Sequence, residues 1–410
     1  MTDRYHRSRE LFARARQVIP GGIYGHAAPA TTVPGGTPFF AQAGHGCRYR
    51  DVDGHEYIDL MCGYGPMLLG YHHPEVEEAV ATARARGAAF NHPTELTVTL
   101  AETLVRRIDF ADWAVFAKNG SDLTTWAVQV AREATGRRKV VKVAGAYHGS
   151  HAWCSPGHGG LLPEDRQHVL ELPWNDVAAL ESLAATHGAD LATVVLTPFH
   201  HPAHGDSVLP SPEFVAAVEA LRKRHGCLLV LDDVRCFPRL HLGGSHRAYG
   251  WQPDLAIYCK AIGNGHPLAA CVGRGDWQVP ASRVFLTGSY WHDPAPLAAA
   301  LKVLEIADRE DIPARLEATG RRLVEGLLAL GKQQGLALEA SGPFALPYVR
   351  VGNDPGFQRT QDLCVAAAAE GVFLHPHHNW FMSLAHTNAE IDEALTRLGR
   401  AVAQVSAQGS

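Results

Sequence analysis

The sequence predicts an α/β fold: a large domain built on a mainly parallel sheet flanked by helices, and a smaller α+β domain. From residue 113 onward, short apolar runs alternate with helical segments, which is typical of a doubly wound sheet. The runs at 227–231 and 255–259 are unbroken, as expected of strands covered on both faces. A chain of 410 residues is also too long for one small core, which favours two domains.

The first part of the chain is predicted to form a helix, a hairpin and two further helices. Apolar residues recur at helical spacing over 5–18, and a loop rich in Pro, Gly and Ala then runs to about residue 45. Two strands are expected around an Asp53-Gly54 turn. Helices follow over about 74–86 and 94–107.

The middle of the chain supplies the large sheet. Its predicted strands are 113–118, 139–144, 192–199, 227–231, 255–259 and 268–274. One helix over 123–135 is closed by Gly136. Another helix is predicted to begin at Ser211-Pro212-Glu213, where Ser211 is the N-cap, Pro212 the first helical residue and Glu213 an acidic residue of the first turn.

After residue 297 a long helix is expected to lead into the smaller domain. Helices over 313–335, 358–370 and from about 388, with strands within 336–351, are predicted there. The early residues are expected to join this domain, because the large sheet offers them no obvious place. The expected division assigns 70–305 to the large domain, and 1–69 with 306–410 to the small one.

Composition excludes several classes of partner. The net charge is -5 and no basic block is present, which argues against nucleic acid or an acidic membrane. The 8 cysteines show no Cys-x-x-Cys spacing and indicate buried thiols in a reducing compartment. No apolar signal region and no bilayer-length run is found. We expect a cytoplasmic enzyme.

The two central runs end in groups that suggest one crevice. The run at 227–231 is followed by Asp232 and Asp233, and the run at 255–259 by Lys260. In open α/β sheets, ligands bind outside the carboxyl ends of the strands. A lysine that forms a Schiff base, facing an acid that keeps a ring nitrogen protonated, is the pairing that pyridoxal phosphate requires. A solvated strand end, a helix cap or a metal pair are the alternatives.

Two loops add weaker signals. Asn119-Gly120-Ser121-Asp122 lies between a strand and a helix, where free N–H groups and the helix dipole favour phosphate; the same residues could simply cap the helix. Tyr147 and His148 follow the next strand, so that Tyr147 either stacks on a cofactor ring or belongs to the core. The histidine groups at 148/151, 200/201/204 and 375/377/378 lack a zinc signature, and we expect no metal.

As an ordered set, these motifs resemble the class III pyridoxal-phosphate aminotransferases, and within them the glutamate-1-semialdehyde aminomutase branch. The similar stretches are FAKNGSDLTTWAVQVAR, AYHGSHAW, LLVLDDV and YCKAIGNGHPLAACVG, together with DVDGHEYIDLMCGYGPMLLGYHHPEV and WFMSLAHTNAEIDEAL. The resemblance implies fold type I with a seven-stranded sheet, and a homodimer with shared active sites.

The resemblance also implies residue roles. By motif, Lys260 matches the Schiff-base lysine and Asp232 the partner of the pyridine nitrogen. His148 is also expected to bind the cofactor. Tyr147 and Val234 match the residues on the two ring faces. Asn119, Gly120 and Ser121 match the phosphate loop, and Thr287 or Ser289 the hydroxyl that reaches the phosphate of the other subunit.

Departures from the family pattern concern the substrate. Thr197-Pro198 replaces the usual Glu-Pro, and Asp233 replaces the usual Glu. The early loop GGIYGHAAPA lacks the arginine with which the aminomutase branch holds a carboxylate, which leaves Arg235 and Arg239 as candidates. A hydroxylated or cyclic acceptor is suggested by the aromatic and histidine side chains Tyr24, His26, Tyr64, Trp153, His200, His201 and Trp291.

We therefore expect an aminotransferase that moves an amino group from an amino-acid donor to a ketone or aldehyde acceptor, in specialised metabolism. An aminomutase that shifts the amine within one molecule, a decarboxylase that uses the same residues, and a non-catalytic scaffold are the alternatives. The scaffold is disfavoured because it would normally have lost Lys260 or Asp232, and both are present.

Overall fold

The computed structural model describes residues 4–25, 36, 40–202 and 204–408. The chain forms two compact units. One unit takes its residues from 1–73, 203–207 and 314–410, and the other consists of Pro74–Pro202 and Val208–Pro313. No helix among the described residues is long and apolar enough to cross a membrane.

The first unit contains a mixed sheet and the helices of both ends of the chain. Its elements before the large sheet are α1 (His6–Val18), β1 (Ala41–His45), β2 (Arg48–Asp51) and β3 (Glu56–Asp59). Strands β2 and β3 form the hairpin predicted around Asp53-Gly54. Strand β1 occupies the end of the segment predicted to be a loop, and it pairs antiparallel with β2.

The second unit begins with two helices and then alternates strands and helices. Its elements in order are α2 (Pro74–Arg84), α3 (Glu95–Arg107), β4 (Trp113–Ala117), α4 (Gly120–Thr135), β5 (Lys139–Val143), β6 (Val169–Leu172), α5 (Val177–His187), β7 (Leu191–Leu196), α6 (Pro212–His225), β8 (Leu228–Asp232), α7 (His246–Tyr249), β9 (Leu255–Tyr258), β10 (Ala269–Gly273), α8 (Gln278–Arg283) and α9 (Pro294–Arg309).

The remaining elements belong to the first unit, apart from the start of α10. They are α10 (Ile312–Gln334), β11 (Leu338–Ser341), β12 (Tyr348–Val351), α11 (Gln358–Ala369), β13 (Val372–Phe373) and α12 (Asn388–Gln408). Strand β13 pairs parallel with β3, which closes the order β1-β2-β3-β13, and β11 and β12 form a separate antiparallel pair.

The large sheet confirms the predicted α/β class. Within the described residues it has seven strands in the order β4-β10-β9-β8-β7-β5-β6. Strands β9, β8, β7, β5 and β6 are parallel to one another, whereas β10 runs antiparallel to both β4 and β9. The carboxyl ends of β4, β5, β7, β8 and β9 therefore lie at one edge of the sheet.

Helices cover both faces of this sheet, because its strands alternate apolar side chains between the two. In β8, Leu229 and Leu231 pack in the core that also contains residues of α3, α6 and α9. Leu228 and Val230 pack in the opposite core, which contains residues of α4 and Ala281 of α8. Strands buried on both faces produce the unbroken apolar runs seen in the sequence.

Candidate active site

A pocket lies at the carboxyl edge of the large sheet, where the sequence places its most polar strand ends. It has a volume of about 250 Å³. The described residues that line it all belong to the second unit: Asn119, Gly120, Ser121, Thr124, Tyr147, His148, Gly149, Thr197, His201, Asp232, Val234, Arg235, Cys259 and Lys260. The pocket thus brings Lys260 and Asp232 together, as expected of two neighbouring strand ends.

Strand alternation decides which of the two adjacent carboxylates enters the pocket. Asp232 follows Leu228 and Val230 on the face covered by α4, so its side chain points to the pocket side. Asp233 lies on the other face, where its Oδ2 accepts a hydrogen bond of 2.8 Å from Ser245 N–H. Burial raises the pKa of Asp233 to about 8. Asp233 therefore holds the turn after β8, and Asp232 is the acid that faces the site.

His148 fixes the Asp232 carboxylate. Its Nδ1 donates to Asp232 Oδ2 over 2.8 Å, and Val234 N–H donates to Asp232 Oδ1 over 3.3 Å. The His148 side chain is fully buried, and it stacks on Trp153 with an interplanar angle of 8°. His148 Nε2 is buried and has no hydrogen-bond partner among the described residues. This geometry orients one carboxylate toward a ligand.

Lys260 reaches the pocket through an unusual backbone conformation. In β9, Leu255 and Ile257 belong to the α4 face, whereas Ala256 and Tyr258 belong to the opposite face. Simple alternation would place Lys260 with Ala256 and Tyr258, away from Asp232. Instead Lys260 has a φ of 51°, in the left-handed region that non-glycine residues rarely adopt. This local strain turns its side chain into the pocket.

The environment of Lys260 lowers the pKa of its amine. Burial, and next the charge of Arg235, lower the pKa of Lys260 from 10.5 to about 8. An amine with such a pKa is neutral in a substantial fraction of molecules near physiological pH, and the neutral form is the nucleophile.

The beginning of α4 has a geometry suited to an anion. Ser121 Oγ accepts a hydrogen bond of 3.2 Å from Ser150 N–H, which leaves the hydroxyl proton to be donated to a ligand. A side chain at Gly120 would approach Val234 Cγ2 to 3.0 Å, and one at Gly149 would approach Ser121 Cβ to 2.8 Å. Two glycines thus keep the backbone accessible beside a helix N-terminus, where the dipole favours an anion. Asn119 begins the helix, and its N–H donates to Asp122 Oδ2 over 3.1 Å.

These residues fit pyridoxal phosphate. The lysine has a lowered pKa, the carboxylate is oriented by a histidine, and the helix N-terminus offers a glycine-lined cradle. Tyr147 and Val234 line the same pocket and are available for the two faces of a planar ring. The donor set matches a pyridine ring that carries an aldehyde and a phosphate arm on adjacent carbons, with its basic nitrogen opposite the aldehyde.

Other expected site residues lie elsewhere. Thr287 lines a different cleft together with Trp291, and both Thr287 and Ser289 are exposed. Arg239 is completely buried, whereas Arg235 lines the pocket. His26 and the other residues of the early loop from 27 to 30 lie outside the described residues. Within the described ranges, no group of three or more His, Cys, Asp or Glu side chains could hold a metal ion.

Sequence reasoning missed the roles of three pocket residues. The sequence places Thr124 within a helix, yet its Oγ1 also donates to His148 O over 2.7 Å and so holds the loop that carries His148. Cys259 was expected to be a buried thiol, but it lines the pocket beside Lys260. Gly149 had no assigned role; its φ of 123° in the AYHGSHAW loop is the feature that only a glycine tolerates.

The chain is similar to known proteins over nearly its whole length. The family model described as aminotransferase class-III matches residues 31–402. Aminopentol aminotransferase of Sphingopyxis macrogoltabida is 39% identical over 97% of this chain and 94% of that protein. A glutamate-1-semialdehyde 2,1-aminomutase of Chloroflexus aggregans is 33% identical over 98% of this chain and 99% of that protein. The FumI protein of Sphingopyxis sp. MTA144, solved with PLP, has a TM-score of 0.95 and 38% identity, covering 97% of this chain and 96% of that chain.

Proposed function

The chain belongs to the class III aminotransferases, and we propose on this basis that it moves an amino group from an amino-acid donor to a ketone or aldehyde acceptor of specialised metabolism. Pyridoxal phosphate is its cofactor. The observation that carries the proposal is the placement of Lys260 and Asp232 in one pocket beside the N-terminus of α4. The name of the aminopentol aminotransferase supports a substrate outside central metabolism.

Half of the residues that line the pocket have a proposed role toward the cofactor. Gly120 and Ser121, at the start of α4, bind the phosphate, and Asn119 begins the helix whose dipole favours that anion. Tyr147 and Val234 keep the ring in one plane. Asp232 accepts a hydrogen bond from the protonated ring nitrogen, and His148 keeps the Asp232 carboxylate in the required orientation.

The chemical step depends on Lys260. When bound, pyridoxal phosphate supplies an electron sink for the bond that breaks at the substrate carbon. Lys260 Nζ would hold the aldehyde of the cofactor and, once released by the donor amine, would be free to act as a base. It would then move the proton at the substrate carbon. Asp232 would maintain the positive charge on the ring nitrogen.

Product analysis tests the proposal. Purified protein supplied with pyridoxal phosphate, an amino-acid donor and a ketone or aldehyde acceptor should release one keto acid for each amine formed, as measured by mass spectrometry. The Lys260→Ala variant should release none. A wild-type protein that yields no keto acid across a panel of donors and acceptors would contradict the assignment.

An aminomutase is the second candidate, because the aminomutase relatives match the whole chain at 33% identity. It would move the amine within one molecule and need no external donor. Substrate that carries ¹⁵N distinguishes the two: an aminotransferase passes the label to the acceptor, whereas an aminomutase retains it in the product.

We further propose a homodimer with shared active sites. The segment that holds Thr287 and Ser289 also exposes two large aromatic side chains, Phe285 at 85% and Tyr290 at 69%. Such a surface is suited to cover by a second copy, which would bring a hydroxyl of Thr287 or Ser289 to the phosphate of its partner. Light scattering should give twice the chain mass, and Phe285→Asp should shift the protein toward the monomer.

Domain division and location complete the proposal. We propose that 70–305 form the cofactor-binding domain, and that 1–69 with 306–410 form the small domain. All 8 cysteines are free thiols, which supports a reducing compartment such as the cytoplasm. Fractionation with an antibody against the chain checks the location.

A further inference from the structure

Arg235 brings a half-buried cation into the pocket. It follows Val234 in the turn after β8 and lines the pocket with Lys260, Asp232 and Tyr147. Burial lowers the pKa of Arg235 to about 10, so the guanidinium keeps its charge at neutral pH. Its charge is also the second cause of the lowered pKa of Lys260, and the two side chains line the same pocket.

The cofactor roles assigned above do not use this charge. The phosphate loop consists of backbone and hydroxyl groups at the start of α4, and Asp232 is already held by His148 and Val234 N–H. The Arg235 charge acts on Cys236, Asp232, Tyr147 and Lys260, and the last three line the pocket without belonging to the phosphate loop at the start of α4. The charge therefore acts on the part of the pocket that carries Lys260 and Asp232.

We propose that Arg235 binds the carboxylate of the amino-acid donor and of the keto acid formed from it. This inference rests on the aminotransferase function proposed above. A guanidinium presents a planar fork that matches a carboxylate with two parallel hydrogen bonds. Because Arg235 lines the same pocket as Lys260, it should favour substrates whose carboxylate lies close to the reacting carbon, as in α-amino acids. Arg235 thereby replaces the arginine that is missing from the early loop.

Two substrates that differ in one charge test the inference on the unmodified enzyme. Pyruvate carries the carboxylate, whereas methyl pyruvate presents a neutral ester of similar shape. Hydrogen bonds to charged groups contribute about 1.5–3 kcal/mol, so kcat/KM for pyruvate should exceed that for the ester by about 10- to 100-fold. Most of the difference should lie in KM. Equal KM values for the two substrates would overturn the inference.

Variants then attribute the discrimination to one side chain. In Arg235→Gln the pyruvate-to-ester ratio should fall to within about 3-fold of unity, and in Arg235→Lys, which keeps the charge but loses the fork, part of the ratio should return. A general effect of Arg235 on Lys260 would change kcat/KM for pyruvate and for the ester alike, so it would leave their ratio unchanged. Arg138→Gln, which removes an exposed arginine of the same unit, is the matched control and should keep the wild-type ratio. An Arg235→Gln variant with the wild-type ratio refutes the role.

Binding of an inert carboxylate gives a readout that is independent of turnover. Titration of the PLP-loaded protein with propionate in a calorimeter should give a Kd at least about 10-fold weaker in Arg235→Gln than in wild type. If the variant instead loses affinity for PLP and keeps its propionate affinity, Arg235 serves the cofactor and the inference is wrong. If the wild type transfers no amine from any donor, the proposed function fails, while the propionate titration still decides whether Arg235 binds carboxylates.

Discussion

The hydrogen bond between His148 and Asp232 gives the most quantitative prediction for the site. His148→Phe keeps a flat ring against Trp153 but removes the Nδ1 donor that lies 2.8 Å from Asp232 Oδ2. Asp232 is only 6% exposed. In the variant, the Val234 N–H still donates to Asp232 Oδ1 over 3.3 Å. Hydrogen bonds to charged groups contribute about 1.5–3 kcal/mol, and a buried carboxylate that loses its donor adds a desolvation penalty. We expect His148→Phe to lower the free energy of unfolding by about 2–4 kcal/mol.

A double-mutant cycle isolates this interaction from the change in packing. Asp232→Asn removes the negative charge, so His148→Phe should cost no more than about 0.5–1 kcal/mol in that background, leaving a coupling energy of about 1.5–3 kcal/mol. Urea unfolding of the cofactor-free protein, followed by tryptophan fluorescence at one protein concentration, measures all four variants. His158→Phe, at an exposed position in the same loop region, is the control and should stay within about 0.5 kcal/mol of wild type. A coupling energy below about 0.5 kcal/mol would refute the argument that His148 holds the Asp232 carboxylate.

Three further predictions concern the same pocket. Burial lowers the pKa of Lys260 from 10.5 to about 8. The rate at which cofactor-free protein binds pyridoxal phosphate should therefore rise with pH up to about 8–9 and then level off. A rate that still rises through pH 10 would contradict the lowered pKa of Lys260. The raised pKa of Asp233, about 8 against 3.8, means that the unfolded chain releases its proton from about pH 4 while the native protein retains it. The contribution of protonated Asp233 to the free energy of unfolding is therefore complete below about pH 4 and is lost as pH rises toward 8. Urea unfolding should show that wild type loses stability relative to Asp233→Asn by about 1 kcal/mol per pH unit between about pH 5 and 8. A stability difference that stays constant over this range would refute the argument. Gly149 has a φ of 123°, and a Cβ there would lie 2.8 Å from Ser121 Cβ, so Gly149→Ala should lower the free energy of unfolding by about 1–3 kcal/mol and weaken PLP binding. The control Gly157→Ala, whose Cβ would meet only Ser155 Oγ at 3.9 Å, should change neither quantity. Equal effects of the two variants would contradict the argument that Gly149 gives the backbone room beside Ser121.

The strong periodic segments of the chain could be predicted from the sequence because local physics determines them. The helix over Pro212–His225 carries its own cap, first-turn proline and closing glycine. Strands β8 and β9 are apolar on both faces and short, which distinguishes them from helices. The antiparallel direction of β10 could not be predicted, because the apolar pattern of a buried strand is compatible with either strand direction.

The missed elements are those whose pattern is weak. Strand β6 is at the edge of the large sheet and only half-buried, and the following helix α5 has apolar residues around most of its circumference, so neither shows a clean period. In the site, the pairing of Lys260 with Asp232 was predictable from strand ends. The left-handed turn that aims Lys260 was not, because only tertiary packing stabilises such a conformation at a non-glycine residue. Which of Asp232 and Asp233 faces the pocket followed from strand alternation once the strand boundaries were known.

Covalent trapping tests the central assignment most directly. Borohydride fixes pyridoxal phosphate permanently on the lysine nitrogen that holds it, and digestion with peptide mass spectrometry then locates the modified residue. We predict the phosphopyridoxyl mass on the peptide that carries Lys260, in near-stoichiometric yield, and its absence from the Lys260→Ala variant. Modification of another lysine at comparable yield, or no modification of the loaded protein, would contradict the account.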